Sequence, residues 1–112
     1  MDLHLHSLQD VTVLTVKGSI DTYTVRSLYQ QLDVAVATKS SKLVVNLADV
    51  DFMDSSGLAA LVQGMKKCRD RGGDLHLCNL QQPVRMILEL TRLDKALEIF
   101  SSEDDAIASF IA

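Results

Sequence analysis

Short apolar runs that suit β-strands alternate along this chain with segments whose apolar residues recur at helical spacing. The run at 43–47 (LVVNL) is typical of a strand covered on both faces, and 74–78 (DLHLC) is a further short strand. A segment with helical periodicity follows the first of these runs, with Leu58, Leu61, Val62 and Met65 on one stripe. Strands that alternate with helices favour a parallel sheet with right-handed crossovers, so the pattern predicts an α/β fold.

The N-terminal segment predicts a β-hairpin. Residues 3–8 alternate leucine with histidine, and residues 11–16 (VTVLTV) are apolar and β-branched. Two polar residues, Gln9 and Asp10, separate these runs, and the sequence leaves the type of turn open. The hairpin adds an antiparallel strand to the parallel ones. We therefore expect a small mixed β-sheet packed against about four helices, in one domain spanning residues 1–112.

Polar residues mark the expected starts of two helices. Asp21 or Thr22 is expected to cap the first helix, because a short side-chain oxygen accepts hydrogen bonds from the free backbone N–H groups. Ser101 or Ser102 has the same role before the last helix, after a short candidate edge strand at 97–100. The predicted buried stripe of that last helix consists of Ala106, Ile107, Phe110 and Ile111.

Charge and composition exclude several classes of function. The 112-residue chain has a net charge of −4, and its one compact basic run, at 66, 67, 69 and 71, contains Asp70. We interpret this run as the solvated face of a helix and expect no nucleic-acid binding, which needs clustered positive charge. No run reaches the roughly 18 apolar residues of a membrane span, and the N-terminus lacks the features of a signal peptide. A cytoplasmic location without membrane binding is expected.

Cysteine and histidine do not form a metal-binding pattern. Cys68 and Cys78 lack CxxC spacing, and two unpaired thiols favour the reducing cytoplasm, although the sequence leaves a disulfide between them open. His4 and His6 share one face of the first strand and His76 lies on another strand, which raises a three-histidine site as an alternative. No carboxylate is placed to orient these rings. We expect no metal and no cofactor.

A serine lies at a predicted junction between a loop and a helix. Taken alone, residues 54–57 (DSSG) are typical of a turn with a helix cap. Ser55 lacks the Gly-x-Ser-x-Gly elbow of many hydrolases, and no histidine has an evident route to it, so we expect no catalytic residue and no enzymatic activity. Phe52 and Met53 are interpreted as core residues that hold the loop, with surface exposure of one of them left open.

Residues 51–58 (DFMDSSGL) resemble the signature of the bacterial anti-sigma factor antagonists of the STAS family. Residues 18–21 (GSID) are similar to the Gly-x-Leu-Asp that follows the second strand in that family. The run at 43–47 fits the strand that leads into the signature, and the two glycines at 72–73 fit the end of the following helix. The resemblance covers nearly the whole chain. Ala59 is a departure, since many members have glycine there, and it bears on the choice of partner.

The resemblance implies a phosphorylation switch at Ser55. In the family, a small ATP-binding serine kinase, which is also the anti-sigma factor, phosphorylates the hydroxyl residue directly after the signature aspartate, here Asp54. The unmodified antagonist binds this kinase and frees the sigma factor. Phosphorylation ends binding, and a phosphatase acting on phospho-Ser55 resets the system. The implied partner-binding residues are Asp21, Asp54, Ser55, Ser56, Gly57 and Leu58, and the helix at 56–70 extends this surface.

Electrostatics supports the choice of Ser55. A phosphate at the start of a helix is stabilised by the positive end of the helix dipole, so the fold tolerates it. The same phosphate adds roughly 1.5 to 2 negative charges beside Asp51 and Asp54, which opposes a partner fitted to a bare hydroxyl. Ser55 is expected to be freer than Ser56, where the helical pattern begins. One alternative function stays open: a scaffold subunit of a lipid-transport or larger signalling complex, in which the serine is not phosphorylated. The oligomeric state also stays open, as either a monomer or a weak dimer.

Overall fold

The computed structural model describes residues 1–111, which fold around a five-stranded sheet whose strands are ordered as in the sequence. The first two strands are antiparallel, and the remaining three continue the sheet in parallel with the second. The strands are β1 (Asp2–Leu8), β2 (Val11–Lys17), β3 (Lys42–Asp49), β4 (Asp74–Cys78) and β5 (Glu98–Phe100). The α-helices are α1 (Val25–Thr38), α2 (Ser55–Asp70), α3 (Gln82–Leu90) and α4 (Glu103–Ile111). The predicted α/β fold with a small mixed sheet is confirmed.

The hairpin turn has a geometry that the sequence left open. Gln9 and Asp10 have φ angles of 50° and 69°, so both central residues are left-handed, as in a type I′ turn. This turn matches the right-handed twist of the two strands, which offsets the cost of positive φ in residues other than glycine. The usual sequence signal for this turn, a glycine in the loop, is absent here.

The two faces of the sheet carry cores of different size. Helices α1, α2 and α3 cover the larger core, in which Leu61 of α2 packs with sheet residues such as Val45. Helix α4 covers a smaller core around Val44 and Ile107. Because side chains alternate across a strand, the continuous apolar run of β3 serves both cores. Within residues 1–111, none of the helices has the length and apolar character that a transmembrane span requires.

The ends of the helices agree with the sequence in most places. Ser102, rather than Ser101, caps α4, because its hydroxyl oxygen accepts a hydrogen bond of 3.1 Å from the N–H of Asp105. Gly72 follows Arg71, the C-cap of α2, and takes a φ of 84°, as expected for a glycine that closes a helix. The buried stripe predicted for α4 is wrong at Ile111, which is exposed. Helical spacing shows which residues share a face, and it does not show where the covering sheet ends.

The two cysteines are free and lie on opposite faces of the sheet. Cys68 of α2 belongs to the larger core and Cys78 of β4 to the smaller one, so the disulfide alternative does not hold. Burial raises the pKa of the Cys68 thiol to about 11 and that of Cys78 to about 12. Both thiols are therefore protonated and chemically inert near neutral pH.

The basic run of α2 lies on the surface, as interpreted from the sequence. Lys66, Lys67 and Arg69 are exposed. Lys67 forms an ion pair with Asp33 of α1, and Nε of Arg69 lies 2.9 Å from a carboxylate oxygen of Asp74. Two of the four basic residues of this run are therefore paired with carboxylates.

Candidate functional site

Two loops meet at the end of the sheet where the carboxyl ends of β2 and β3 lie side by side. Residues 18–24 follow β2 and residues 50–54 follow β3, and Ile20 pairs with Met53 in a short parallel bridge. The N–H of Ile20 donates to the carbonyl of Phe52 at 3.0 Å, and the N–H of Asp54 donates to the carbonyl of Ile20 at 3.1 Å. We call this region, residues 18–24 and 50–57, the serine edge. It brings together two motifs that are far apart in the sequence.

Asp54 fixes the start of α2. Its Oδ1 atom accepts hydrogen bonds from the N–H of Ser56 at 2.9 Å, from the N–H of Gly57 at 3.4 Å, and from the hydroxyl of Ser56. These donors satisfy free N–H groups of the first helical turn. The hydroxyl of Ser56 is the main cause that lowers the pKa of Asp54 below its ordinary value, and the backbone N–H groups of Ser56, Gly57 and Thr22 add to it against the effect of burial. Asp54 is therefore ionised near neutral pH.

The hydroxyl of Ser55 is exposed, whereas that of Ser56 is in use. Ser55 is the first residue of α2, and within residues 1–111 its side chain makes no hydrogen bond. Ser56 is half-buried, and its hydroxyl donates to Asp54. Ser55 is thus accessible from solvent, whereas the hydroxyl of Ser56 is engaged by Asp54. The phosphorylation of Ser55 itself stays a prediction.

Asp21 shapes the turn at residues 21–24 of the serine edge. Its Oδ1 atom accepts hydrogen bonds from the N–H groups of Tyr23 at 2.9 Å and Thr24 at 3.0 Å. It therefore holds the turn before α1, which begins at Val25. The N-cap of α1 is Thr24, whose side chain makes no capping hydrogen bond, so the prediction that Asp21 or Thr22 caps this helix is wrong. The Thr22 hydroxyl instead lies 3.5 Å from Oδ2 of Asp54, a weak contact between the two loops.

Gly57 and Leu58, which the resemblance assigned to the partner-binding set, are buried. A methyl group added at Gly57 would lie 2.6 Å from Cγ of Met53 and 2.7 Å from Cγ2 of Ile20, so only glycine lets α2 pack this closely on both loops. In this conformation the two residues offer a partner almost no surface. They hold the first turn of α2, which carries Ser55, against the core. The exposed or half-buried members of the set are Asp21, Asp54, Ser55 and Ser56.

Phe52 and Met53 differ in their exposure to solvent. Met53 is 4% exposed and belongs to the larger core, so it holds the loop as interpreted. Phe52 is 50% exposed. Tyr23 lies on the neighbouring loop, and no pattern in the sequence marks it, because it precedes α1. Only the packing of the two loops shows that it belongs to the serine edge.

The three histidines do not come together. His4 and His6 are exposed on β1, whereas His76 lies on β4 with β2 and β3 in between. His76 is buried, stacks on the ring of Phe110 with ring centroids 4.0 Å apart, and contacts the hydroxyl of Ser109 at 2.8 Å. Among residues 1–111, no three potential ligands converge as a metal site requires. His76 is a core residue that holds α4 on the sheet.

The removal of Asp54 is expected to weaken the fold in a pH-dependent way. Asp54→Ala should lower the free energy of unfolding at neutral pH by about 1 kcal/mol, the usual value of a helix cap. Since the folded state lowers the pKa below the ordinary 3.8, the contribution of the charge is present above pH 3.8 and is lost as the pH falls through the folded pKa. Urea unfolding at neutral pH and in acid measures both values.

Asp54→Asn is the matched control, since asparagine keeps a cap oxygen without a titratable group. Relative to this variant, the wild type should lose stability in acid. A difference between wild type and Asp54→Asn that does not change with pH would contradict the assignment of the lowered pKa to this cap.

The fold and the serine edge define a class of small α/β domain that presents a free hydroxyl at the start of the helix after its third strand. A family model described as the STAS domain matches residues 3–106. The chain belongs to the STAS domain family, so the resemblance seen in the sequence is confirmed. Over 90 residues it is 32% identical to the anti-sigma-B factor antagonist of Listeria monocytogenes, an alignment that covers 80% of this chain and 79% of the relative.

Solved structures agree with this assignment. An anti-sigma factor antagonist from Mycobacterium paratuberculosis is 29% identical and superposes with a TM-score of 0.88, covering 96% of this chain and 92% of that one. The anti-sigma factor antagonist SpoIIAA in its unphosphorylated form has a TM-score of 0.83 at 21% identity, covering 97% and 96%. The Bacillus protein SpoIIAA is also known in a phosphorylated form, with a TM-score of 0.74 at 20% identity and coverage of 97% and 99%. At such identities the likeness to SpoIIAA shows the fold alone.

Proposed function

We propose that this chain is an anti-sigma factor antagonist that is switched by phosphorylation of Ser55. The unmodified protein binds an anti-sigma factor with serine kinase activity and thereby frees the sigma factor. Phosphate on Ser55 ends this binding, and a phosphatase that removes the phosphate restores it. The observation that carries the proposal is the exposed hydroxyl of Ser55 next to a second serine whose hydroxyl is held by Asp54.

The names of the relatives support this proposal. The Listeria monocytogenes relative and the Mycobacterium paratuberculosis structure are both anti-sigma factor antagonists. SpoIIAA, which shares the fold, exists in unphosphorylated and phosphorylated forms. These relatives are named as regulators and not as enzymes, and we propose that this chain likewise acts by binding, without catalysis or a cofactor. The two free thiols fit the reducing cytoplasm, where we propose that this binding takes place.

The site explains why a phosphate would change binding and spare the fold. Ser55 is the first residue of α2, where the partial positive charge of the helix end stabilises an anion. The phosphate adds roughly 1.5 to 2 negative charges next to the ionised Asp54. In the free protein, water solvates this charge. In a complex, the same charge would be desolvated against a surface that fits a bare hydroxyl, which disfavours association.

The proposed partner surface consists of the exposed and half-buried groups of the serine edge, continued by the exposed face of α2. Asp21, Asp54, Ser55 and Ser56 provide the polar contacts. Gly57 and Leu58 contribute by holding the start of α2 against the core. We propose that the specificity of binding arises from the side chains of the first group, and that the second group keeps them in place.

Affinity capture tests the proposed function. Immobilised unmodified protein, incubated with a native lysate of the source organism without added ATP, should retain an anti-sigma factor kinase that can be identified by mass spectrometry. Addition of ATP should release this kinase as Ser55 becomes phosphorylated. Retention of only lipid-transporter subunits, unaffected by ATP, would contradict the proposal and favour a scaffold role.

A further inference from the structure

Two of the five aromatic side chains of this protein are exposed, and both lie at the serine edge. Tyr23 is 94% exposed and Phe52 is 50% exposed. The other three, Tyr29, Phe100 and Phe110, are partly buried and pack against the two cores. Aromatic rings contribute large contact areas at interfaces, and they are costly to leave in water. The placement of the exposed pair therefore indicates a contact surface.

The backbone that carries Tyr23 is held in place. Asp21 accepts hydrogen bonds from the N–H groups of Tyr23 and Thr24. The Thr24 hydroxyl donates to the carbonyl of Ser19 at 2.9 Å, and the N–H of Asp21 donates to the Thr24 hydroxyl oxygen at 3.0 Å. The ring of Tyr23 thus projects from a fixed turn. Such an arrangement reduces the entropy that binding costs.

The two rings are linked to Ser55 through the hydrogen bonds of the serine edge. Phe52 lies three residues before Ser55 in the sequence, and its carbonyl accepts from Ile20 of the other loop at 3.0 Å. On that loop, Thr22 lies next to Tyr23 and contacts the carboxylate of Asp54. One ring therefore comes from each of the two loops that surround the serine.

The charges around the rings restrict the kind of occupant. The carboxylates of the serine edge, Asp21, Asp51 and Asp54, form no ion pair with any residue between 1 and 111. Nucleic acids and anionic membranes would be repelled by them. A symmetric contact with a second copy would place the same carboxylates against each other. The surface fits a different protein whose apolar pockets are surrounded by lysine or arginine.

We infer that Tyr23 and Phe52 are the aromatic residues through which the unmodified protein binds its anti-sigma factor kinase, an inference that rests on the proposed function. The two rings supply the main apolar contacts, and Ser55 supplies the switch. Truncation of a well-buried aromatic contact at an interface weakens binding strongly, while neighbouring contacts contribute little. The two residues therefore determine affinity without taking part in phosphorylation chemistry.

The test is calorimetric titration of the purified anti-sigma factor kinases of the source organism, each in turn, with variants of this protein. Tyr23→Ala and Phe52→Ala should each raise the Kd by on the order of 30-fold or more. Tyr23→Phe should restore most of the affinity, because it keeps the ring. Leu90→Ala is the matched control: Leu90 is 77% exposed and is the last residue of α3, outside the residues of the serine edge, so the Kd should not change. Circular dichroism should show the same fold for all variants.

The titrations distinguish a failure of the inference about Tyr23 and Phe52 from a failure of the proposed function. If a kinase binds the wild type, and Tyr23→Ala and Phe52→Ala bind it as tightly, the inference is overturned while the proposed function stands. If none of the kinases binds the wild type, the proposed function falls, and the inference falls with it. If the wild type self-associates in sedimentation and Tyr23→Ala abolishes this, the rings belong to a dimer interface and the inference is overturned.

Discussion

Ser55→Ala is expected to accept no phosphate and to stay bound to its kinase in the presence of ATP. The substitution removes the exposed hydroxyl of the serine edge and adds no bulk or charge. The side chain of Ser55 makes no hydrogen bond within residues 1–111, so the fold should be unaffected. Intact-mass spectrometry after incubation with kinase and ATP measures the phosphate, and co-elution in size-exclusion chromatography measures the complex. Wild type should gain one phosphate and dissociate.

Two further variants define the position of the switch. Ser56→Ala should still accept phosphate, with a slight loss of stability because Asp54 loses the hydrogen bond from the Ser56 hydroxyl. Ser55→Asp should fold and bind weakly, with residual affinity because a carboxylate carries only part of the charge of a phosphate. Phosphate on Ser56, with Ser55→Ala modified as wild type, would move the switch to Ser56 and leave the family unchanged.

Gly73→Ala is expected to cause the largest loss of stability among the variants proposed for this protein. A methyl group at this position would lie 2.0 Å from the carbonyl oxygen of Ser41 and 2.4 Å from its carbonyl carbon. That carbonyl cannot move away freely, since it accepts a hydrogen bond from the N–H of Asp74 at 3.0 Å where the β3–β4 ladder begins. The free energy of unfolding should fall by about 3 kcal/mol or more, at the upper end of the effects of overpacking. Urea unfolding followed by circular dichroism measures the loss.

Gly72→Ala is the control for this prediction. Gly72 has a φ of 84°, and a methyl group there would meet nothing within 4 Å, so alanine costs only backbone strain. A left-handed alanine costs roughly 1 to 2 kcal/mol. Gly73→Ala should therefore be clearly the more destabilised of the two variants. Equal losses would show that the backbone around Ser41 yields to the added methyl group, contrary to this account.

Local patterns of the sequence predict most of the fold, because each element buries one stripe or face. The alternation of strand-like and helical segments is sufficient for the mixed sheet and its order of elements. The type I′ turn at Gln9 and Asp10 was not predictable, since neither residue is a glycine and the twist of the paired strands selects the geometry. Ile111 was misplaced for a related reason: the extent of a covering sheet is a tertiary property.

The candidate site depended on the family resemblance, which assigned Ser55. The residues alone indicated only a turn and a cap. The burial of Leu58 could have been expected, since it shares helical spacing with Leu61 and Met65 and so belongs to the core stripe. The exposure of Tyr23 could not, because it follows from how two loops hydrogen-bond at the end of the sheet.

The central claim is that phosphate on Ser55 ends binding to the kinase while the fold persists. Calorimetric titration of the kinase with unmodified protein and with protein phosphorylated at Ser55 tests it most directly, with circular dichroism to compare the two folds. We predict that phosphorylation weakens binding by on the order of 100-fold or more, since an uncompensated charge would be desolvated in the complex. Equal affinity of the two forms, with phosphate verified on Ser55, would contradict the account.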